Sequence, residues 1–204
     1  MIDHILEGYA ASSAELVPRF EAICSARLYA PVADLLPESP ARIVDIGAGT
    51  GRDAAWLAGQ GHPVTAVEPV DELRQSGMAL HQSPRIEWLD ERLPDLRGLA
   101  DRRFDCVILS GVWQHLDGDQ RRAAMPRLAG LTAPLGLMIM SLRHGPGAPN
   151  RPVHQGRPEC TIDAASSQGF ALIRSRRADS VQAGNRAAGV HWTWLAFALP
   201  DAVS

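Results

Sequence analysis

The first residues in the chain whose types and spacing can do chemistry are Asp45-Ile46-Gly47-Ala48-Gly49-Thr50-Gly51. Glycines at alternate positions let a backbone turn sharply and approach a ligand with no Cβ in the way. They follow Arg42-Ile43-Val44-Asp45-Ile46, a run of buried-strand character. Ligands of a parallel sheet sit beyond the carboxyl ends of its strands, so a turn at this strand's end stands where a ligand binds. Further acids close later apolar runs: Glu68 in Ala66-Val67-Glu68-Pro69, and Asp90 after Ile86-Glu87-Trp88-Leu89, with Glu91 and Asp95 as rivals for its place. A carboxylate accepts on both oxygens and can take both hydroxyls of a ribose. Each acid also has a plainer reading. Asp45 can bond the turn amides, Glu68 can sit at a helix N-terminus, and Asp90 can be an ordinary loop acid.

Spacing narrows the ligand. A dinucleotide fingerprint reads G-x-G-x-x-G/A, whereas this turn reads G-x-G-x-G with Arg52 where the third small residue belongs. The phosphate-cradling G-x-x-x-x-G-K-[ST] is absent, and the chain has no lysine to serve it. The turn therefore argues against a dinucleotide and against triphosphate hydrolysis.

The elements that must hold this turn alternate in type. Helix is expected over 12–36, with Pro18 and Pro31 starting or kinking its turns. Strands are expected over 42–46, 63–68, 85–89, 104–110, 135–142, 170–173 and 191–199. Helices are expected over 53–60, 71–81, 120–131 and 159–168, and 144–158 reads as a long Gly- and Pro-rich loop. Such alternation implies a doubly wound, mostly parallel α/β sheet of seven strands, with helices on both faces and an N-terminal helical cap. A single domain over 1–204 suffices: a cap at 1–38, a ligand-binding core at 41–142, and a substrate-side loop with the last strands at 143–204.

Composition sets further limits. The 204 residues carry a net charge of −3, with 46% hydrophobic and 21% charged residues, as in an ordinary globular domain. The acidic balance disfavours nucleic acid as partner. All 20 of the Lys+Arg residues are arginine, which fits codon bias or an arginine-lined anion site. Cys24, Cys106 and Cys160 form no CxxC pair, and a reducing cytoplasm suits them. His144, His154 and Cys160 follow no metal-ligand spacing, so no metal is expected. No signal peptide or membrane span is expected.

The whole pattern resembles the class I S-adenosylmethionine-dependent methyltransferases. Val44 to Asp53 is similar to that family's first motif, and Glu68 stands where the family has its ribose acid. Asp90 matches the residue at the adenine amino group. Phe104-Asp105-Cys106-Val107-Ile108-Leu109-Ser110-Gly111 resembles the fourth-strand motif near the methionine moiety, and Leu131 to Leu142 the fifth strand. The likeness is close over 40–142 and holds only in outline elsewhere. It implies a Rossmann-like fold, S-adenosyl-L-methionine as cofactor, and cofactor contacts from Asp45, Gly47, Ala48, Gly49, Gly51, Glu68, Pro69, Asp90, Glu91, Ser110 and Gly111. Tyr9 resembles an N-terminal tyrosine that packs near the cofactor in small-molecule members; its plainer reading is a staple for the first helix.

The acceptor side is drawn less sharply. Candidate bases are His115, in Trp113-Gln114-His115-Leu116, and His144, at the end of the fifth strand. Gln114, Arg143 and Arg186 are candidate substrate contacts. Arg151, His154 and Arg157 of the long loop can join them around an acidic substrate or simply be solvated. Trp192 and Trp194 read as core or sheet-face residues. The expected function is methyl transfer to a small molecule. The alternatives are RNA or protein methylation, and a non-catalytic cofactor-binding or scaffold protein. Leu109-Ser110-Gly111-Val112 stands where exocyclic-amine methyltransferases carry an Asn-Pro-Pro-Tyr-type tetrad.

Overall fold

The computed structural model describes residues 2–201. Helices α1 (Ile2–Ala11), α2 (Ser13–Glu21) and α3 (Ser25–Leu28) precede the first strand. The helix expected over 12–36 is thus broken, and α1 lies outside it. Ala22 closes α2, and Cys24 is extended at φ −75° and ψ 113° before one new turn begins at Ser25. A 3₁₀ turn over Ala33–Leu35 then leads to the sheet. The restart has a structural consequence. Ser25 and Tyr29, one helical turn apart, both bond Asp53, at 2.6 and 3.3 Å.

The sheet holds β1 (Ile43–Ile46), β2 (Val64–Val67), β3 (Ile86–Leu89), β4 (Phe104–Leu109), β5 (Thr132–His144), β6 (Ala171–Asp179) and β7 (His191–Ala198). Their order is β3-β2-β1-β4-β5-β7-β6. The first five strands pair in parallel, and β7 runs antiparallel between β5 and β6. The order therefore reverses between β1 and β4, which opens a crevice at their carboxyl ends.

Successive side chains on these strands serve opposite faces. Val44, Ile46, Val107, Leu109, Met138 and Met140 join one core, with Met125, Leu128 and Leu131 of α6 (Gly118–Leu131). Ile43, Ala66, Cys106, Ile108 and Ile139 join the other, with Ala54 and Leu57 of α4 (Arg52–Gly59) and with Tyr29. The same parity puts Asp45 on the α4 face. Helix α5 (Asp71–Leu80) links β2 to β3, and α7 (Pro158–Ser166) precedes β6.

Expected and observed strands differ most at the end of the chain. β5 extends beyond 135–142 at both ends: Thr132 pairs with Phe104 of β4, and β7 pairs with the strand as far as His144. β6 extends to Asp179 rather than stopping at 173. It is the edge strand, and most of its residues are exposed, so apolar patterning cannot reveal its Arg174–Asp179 half. Helix α8 (Ala183–Ala187) is small and has no buried residue, which leaves no periodic signal either. Among the described residues, no helix is long and apolar enough to cross a membrane.

Candidate active site

A cleft of about 260 Å³ opens at the carboxyl ends of β1 and β4. Its floor is the turn from Asp45 to Thr50. One wall comes from Glu68 to Val70 and from Glu91 to Leu93. The other comes from Ser110 to Val112 and from Gln114 to Leu116, with Arg143, Trp192 and the stretch Ser180–Gln182. Ile5, Leu6 and Tyr9 of α1, with Phe20 and Ile23, form the roof.

The floor is fixed by backbone bonds. Gly47 N and Ala48 N both donate to Val67 O, at 2.8 and 2.9 Å. Gly49 has φ +59°, and a Cβ there would meet only Phe20, at 3.7 Å. The space over Gly49 is open to a ligand. Gly51, at φ +73°, differs: it caps α4, and a Cβ there would run into the Trp88 ring. Gly51 does not line the cleft, so packing accounts for that glycine.

Glu68 is 5% exposed. Its Oε2 accepts from Gly49 N and its Oε1 from Val70 N, both at 2.8 Å. Burial pushes its pKa up to about 7, although both amide bonds pull the other way. Each oxygen keeps a lone pair for a further donor. Asp45 is buried beneath the turn. Burial foremost, and then the charge of Asp53, hold its carboxyl above the ordinary range. Asp53 itself is neutralised by Arg52, at 2.7 Å.

Roof and floor are tied together. Arg52 Nη1 donates to Phe20 O at 2.8 Å. Thr50 Oγ1 donates to Glu21, whose other oxygen lies 3.1 Å from His81 Nε2. Arg52 thus spans Asp53 and the cap, a role that its place in the glycine pattern did not suggest. Farther along, Arg92 pairs with Asp3 of α1 at 2.5 Å.

The other wall carries the acceptor-side candidates. Tyr9 Oη lies 2.8 Å from His115 Nε2, and His115 Nδ1 lies 3.3 Å from Pro152 O. With Nδ1–H donating to that carbonyl, Nε2 accepts the tyrosine hydroxyl. Burial lowers the His115 pKa to about 4 and raises the Tyr9 pKa to about 12, so both are neutral near pH 7. Gln114 is 5% exposed; its Nε2 donates to Gly111 O at 2.5 Å, and its buried Oε1 has no partner among the described residues. Arg143 donates to Pro146 O at 2.8 and 3.3 Å and lies over the Trp192 ring at 5.6 Å.

Several candidates stand elsewhere. His144 does not line the cleft; it stacks on His191 at 4.7 Å and bonds Thr193 at 2.9 Å. The reason is strand parity, since Arg143 next to it is the residue turned to the cleft. Arg186 donates to Ser180 O and Val181 O, at 2.7 and 3.0 Å, and so shapes a lining segment without lining it. Asp90 is also outside the lining, with a 68% exposed side chain 3.4 Å from Arg74. Glu91 does line the cleft, while its carboxylate accepts from Gly98 N at 2.7 Å. Arg151 lies over the Tyr9 ring at 5.0 Å. His154 N donates to Gln114 O at 2.7 Å, Arg157 precedes α7, and Trp194 packs against Tyr29 in the core. Tyr9, expected near the cofactor, does line the cleft; Ile5, Leu6, Phe20 and Ile23 beside it were not singled out, although the spacing of Ile5 and Tyr9 is a signal for an inward face.

The residues present fit an adenosyl sulfonium cofactor: an open Cα at Gly49, and beside it a buried carboxylate with unused acceptors. Comparison with known proteins agrees. The family described as "Methyltransferase domain" matches residues 19–198. Uncharacterized methyltransferases of Mycobacterium bovis and Mycobacterium tuberculosis are 32% identical over 103 residues, covering 50% of this chain and 40% of each relative. The crystal structure of Burkholderia thailandensis 1,6-didemethyltoxoflavin-N1-methyltransferase, with 1,6-didemethyltoxoflavin and S-adenosylhomocysteine bound, has TM-score 0.76 and 24% identity, covering 98% of this chain and 88% of that one. The magnesium protoporphyrin IX methyltransferase of Synechocystis, with bound cofactor, has TM-score 0.65 and 18% identity, covering 85% and 76%. These two show the fold alone. With its family match, its strand order and its glycine turn, the chain belongs to the methyltransferase-domain family and has the fold of the class I S-adenosylmethionine-dependent methyltransferases.

Proposed function

We propose that the protein transfers a methyl group from S-adenosylmethionine to a small-molecule acceptor. One observation carries this reading: Glu68 is fixed by Gly49 N and Val70 N, each at 2.8 Å, and still offers an acceptor on both oxygens at the edge of an open glycine turn. Glu68 would hold the ribose hydroxyls, Gly47 to Gly49 would pass under the methionine part, and Pro69 and Glu91 would flank the adenine.

When bound, the cofactor supplies an electrophilic methyl on a sulfonium. The chain's own work is orientation and the exclusion of water. The roof of α1 and α2 closes over the cleft and favours a small acceptor over a macromolecule. The toxoflavin-precursor enzyme that shares the fold acts on such an acceptor, and the same class is proposed here. His115 serves to hold Tyr9 at the acceptor wall. Its low pKa and the tyrosine hydroxyl on its Nε2 leave it a poor base.

Thermal-shift and calorimetric titration with S-adenosylhomocysteine tests the cofactor part. A saturable heat and a raised Tm are expected. The absence of both would remove the enzyme reading.

A further inference from the structure

We infer that the acceptor is an acidic aromatic compound that binds as its anion against Arg143, with a ring N–H or O–H donated to Gln114. This rests on the methyltransferase reading above and names its substrate class.

Charge is the first argument. The lining residues from Ser110 onward include no acid; their one full charge is the Arg143 guanidinium. The acids of the cleft all come from before this segment, and each is engaged or lies beneath the turn. Asp53 pairs with Arg52, Glu91 takes the Arg97 and Gly98 amides, and Glu68 takes the Gly49 and Val70 amides. Among the described residues, no carboxylate comes within 4.0 Å of Arg143 or Arg151. Arg143 is half-buried, and its loss of water opposes its charge. A partly desolvated cation without an acid partner favours a bound anion and disfavours an ammonium acceptor. Arg151, over the Tyr9 ring, adds a second positive charge behind the same wall.

Hydrogen bonding is the second argument. Gln114 Nε2 donates to Gly111 O, so the identity of its two amide ends is fixed by a carbonyl partner. That leaves Oε1 as a buried acceptor without a donor, which costs free energy until a ligand supplies one. The rings of Tyr9, His115 and Trp192 line the same cleft as Gln114 and suit a flat ligand.

Proton removal points the same way. His115 and Tyr9 are both neutral and bonded to each other, so neither is poised to take a proton. An acceptor that arrives ionised needs none, because its proton has already gone to solvent. The acceptor's lone pair forms the new bond to the methyl carbon of S-adenosylmethionine. The carbon–sulfur bond breaks with its electron pair passing to sulfur, and the acceptor's negative charge and the sulfonium's positive charge cancel.

The test uses the full chain saturated with S-adenosylhomocysteine for binding, and with S-adenosylmethionine for turnover. Catechols carrying an electron-withdrawing group and cyclic imides such as lumazine, each of which keeps an O–H or N–H after losing one proton, are compared with aryl amines and alkylamines of equal size. Binding and turnover confined to the acidic class are expected. Arg143→Gln should then weaken acid binding about 10- to 100-fold, and Arg143→Lys should restore part of it. S-adenosylhomocysteine affinity should stay the same in both variants. Preference for amines, acid binding unchanged in Arg143→Gln, or binding of neither class by protein that holds S-adenosylhomocysteine would each overturn the inference. Protein that fails to hold S-adenosylhomocysteine overturns the cofactor reading and this inference with it.

Discussion

The two walls of the cleft are built on different principles. The cofactor wall is local: Gly47, Gly49 and Glu68 follow two adjacent parallel strands, and Glu68 is already tied to the Gly49 and Val70 amides before any ligand arrives, with one acceptor left on each oxygen. The acceptor wall is assembled from Tyr9, Gln114, His115, Arg143 and Trp192, brought together across the chain, and among the described residues it keeps a cation with no acid partner and an amide oxygen with no donor. A wall tied together from within makes a fixed seat that suits one common cofactor. A wall left unsatisfied selects, because only a ligand carrying the missing charge and donor completes it.

Substitutions at the two glycines break the comparison most severely. Gly49→Val puts a branched side chain at φ +59°, in the space left for the cofactor. It should weaken S-adenosylhomocysteine binding by about 100-fold or more, a change of roughly 2.7 kcal/mol in calorimetry. Gly51→Ala pays the left-handed backbone cost of about 1–2 kcal/mol and also collides with Trp88. Its main effect should be on Tm, a fall of at least about 2–8 °C by calorimetric scan, with cofactor binding retained in the folded fraction. If Gly51→Ala lost the cofactor but kept its Tm, the division between seat and packing would be wrong.

Tyr9→Phe probes the acceptor wall more gently. It removes the bond to His115, worth about 0.5–1.5 kcal/mol. Acceptor KM should rise a few-fold while S-adenosylhomocysteine affinity holds. An equal loss on both sides would mean that the cap acts on the cleft as a whole. His144→Ala should have the smallest effect. Outside the cleft, it should change kcat/KM by no more than about twofold; a large fall in kcat would restore His144 as a base.

The same division governs what was legible in the sequence. β1 to β4 and the glycine turn are read in order from apolar runs ending in Gly47 and Glu68, because each motif is continuous in the chain. The acceptor wall has no such continuity. Arg143 and His144 are adjacent in sequence, and only the pairing of β5 with β7 decides that the arginine meets the cleft and the histidine meets His191. Arg186 reads as a substrate contact until its two bonds to Ser180 O and Val181 O place it behind the lining. Asp90 holds the family's position, but its side chain lies in solvent beside Arg74. Tyr9 was legible through its place in Gly8-Tyr9-Ala10, but Ile5 and Leu6 of the same roof were not, because a short amphipathic helix gives few periods to count.

The central claim is that Glu68 receives the ribose, and proton release tests it most directly. Burial raises the Glu68 pKa from 4.5 to about 7. In the ligand-free protein, folded Glu68 therefore keeps a proton that the unfolded chain gives up, and its contribution to stability falls as pH rises from about 4.5 to about 7. Ribose hydroxyls donating to the carboxylate favour its ionised form, so binding has the opposite sign. Affinity should rise with pH up to about 7 and then level off, and binding below that pH should release a proton. Calorimetry of S-adenosylhomocysteine near pH 6, in two buffers of different ionisation enthalpy, reads that proton. The account predicts proton release in the wild type and none in Glu68→Gln, with weaker binding by the variant. Equal affinity and equal proton release in the two proteins would contradict it.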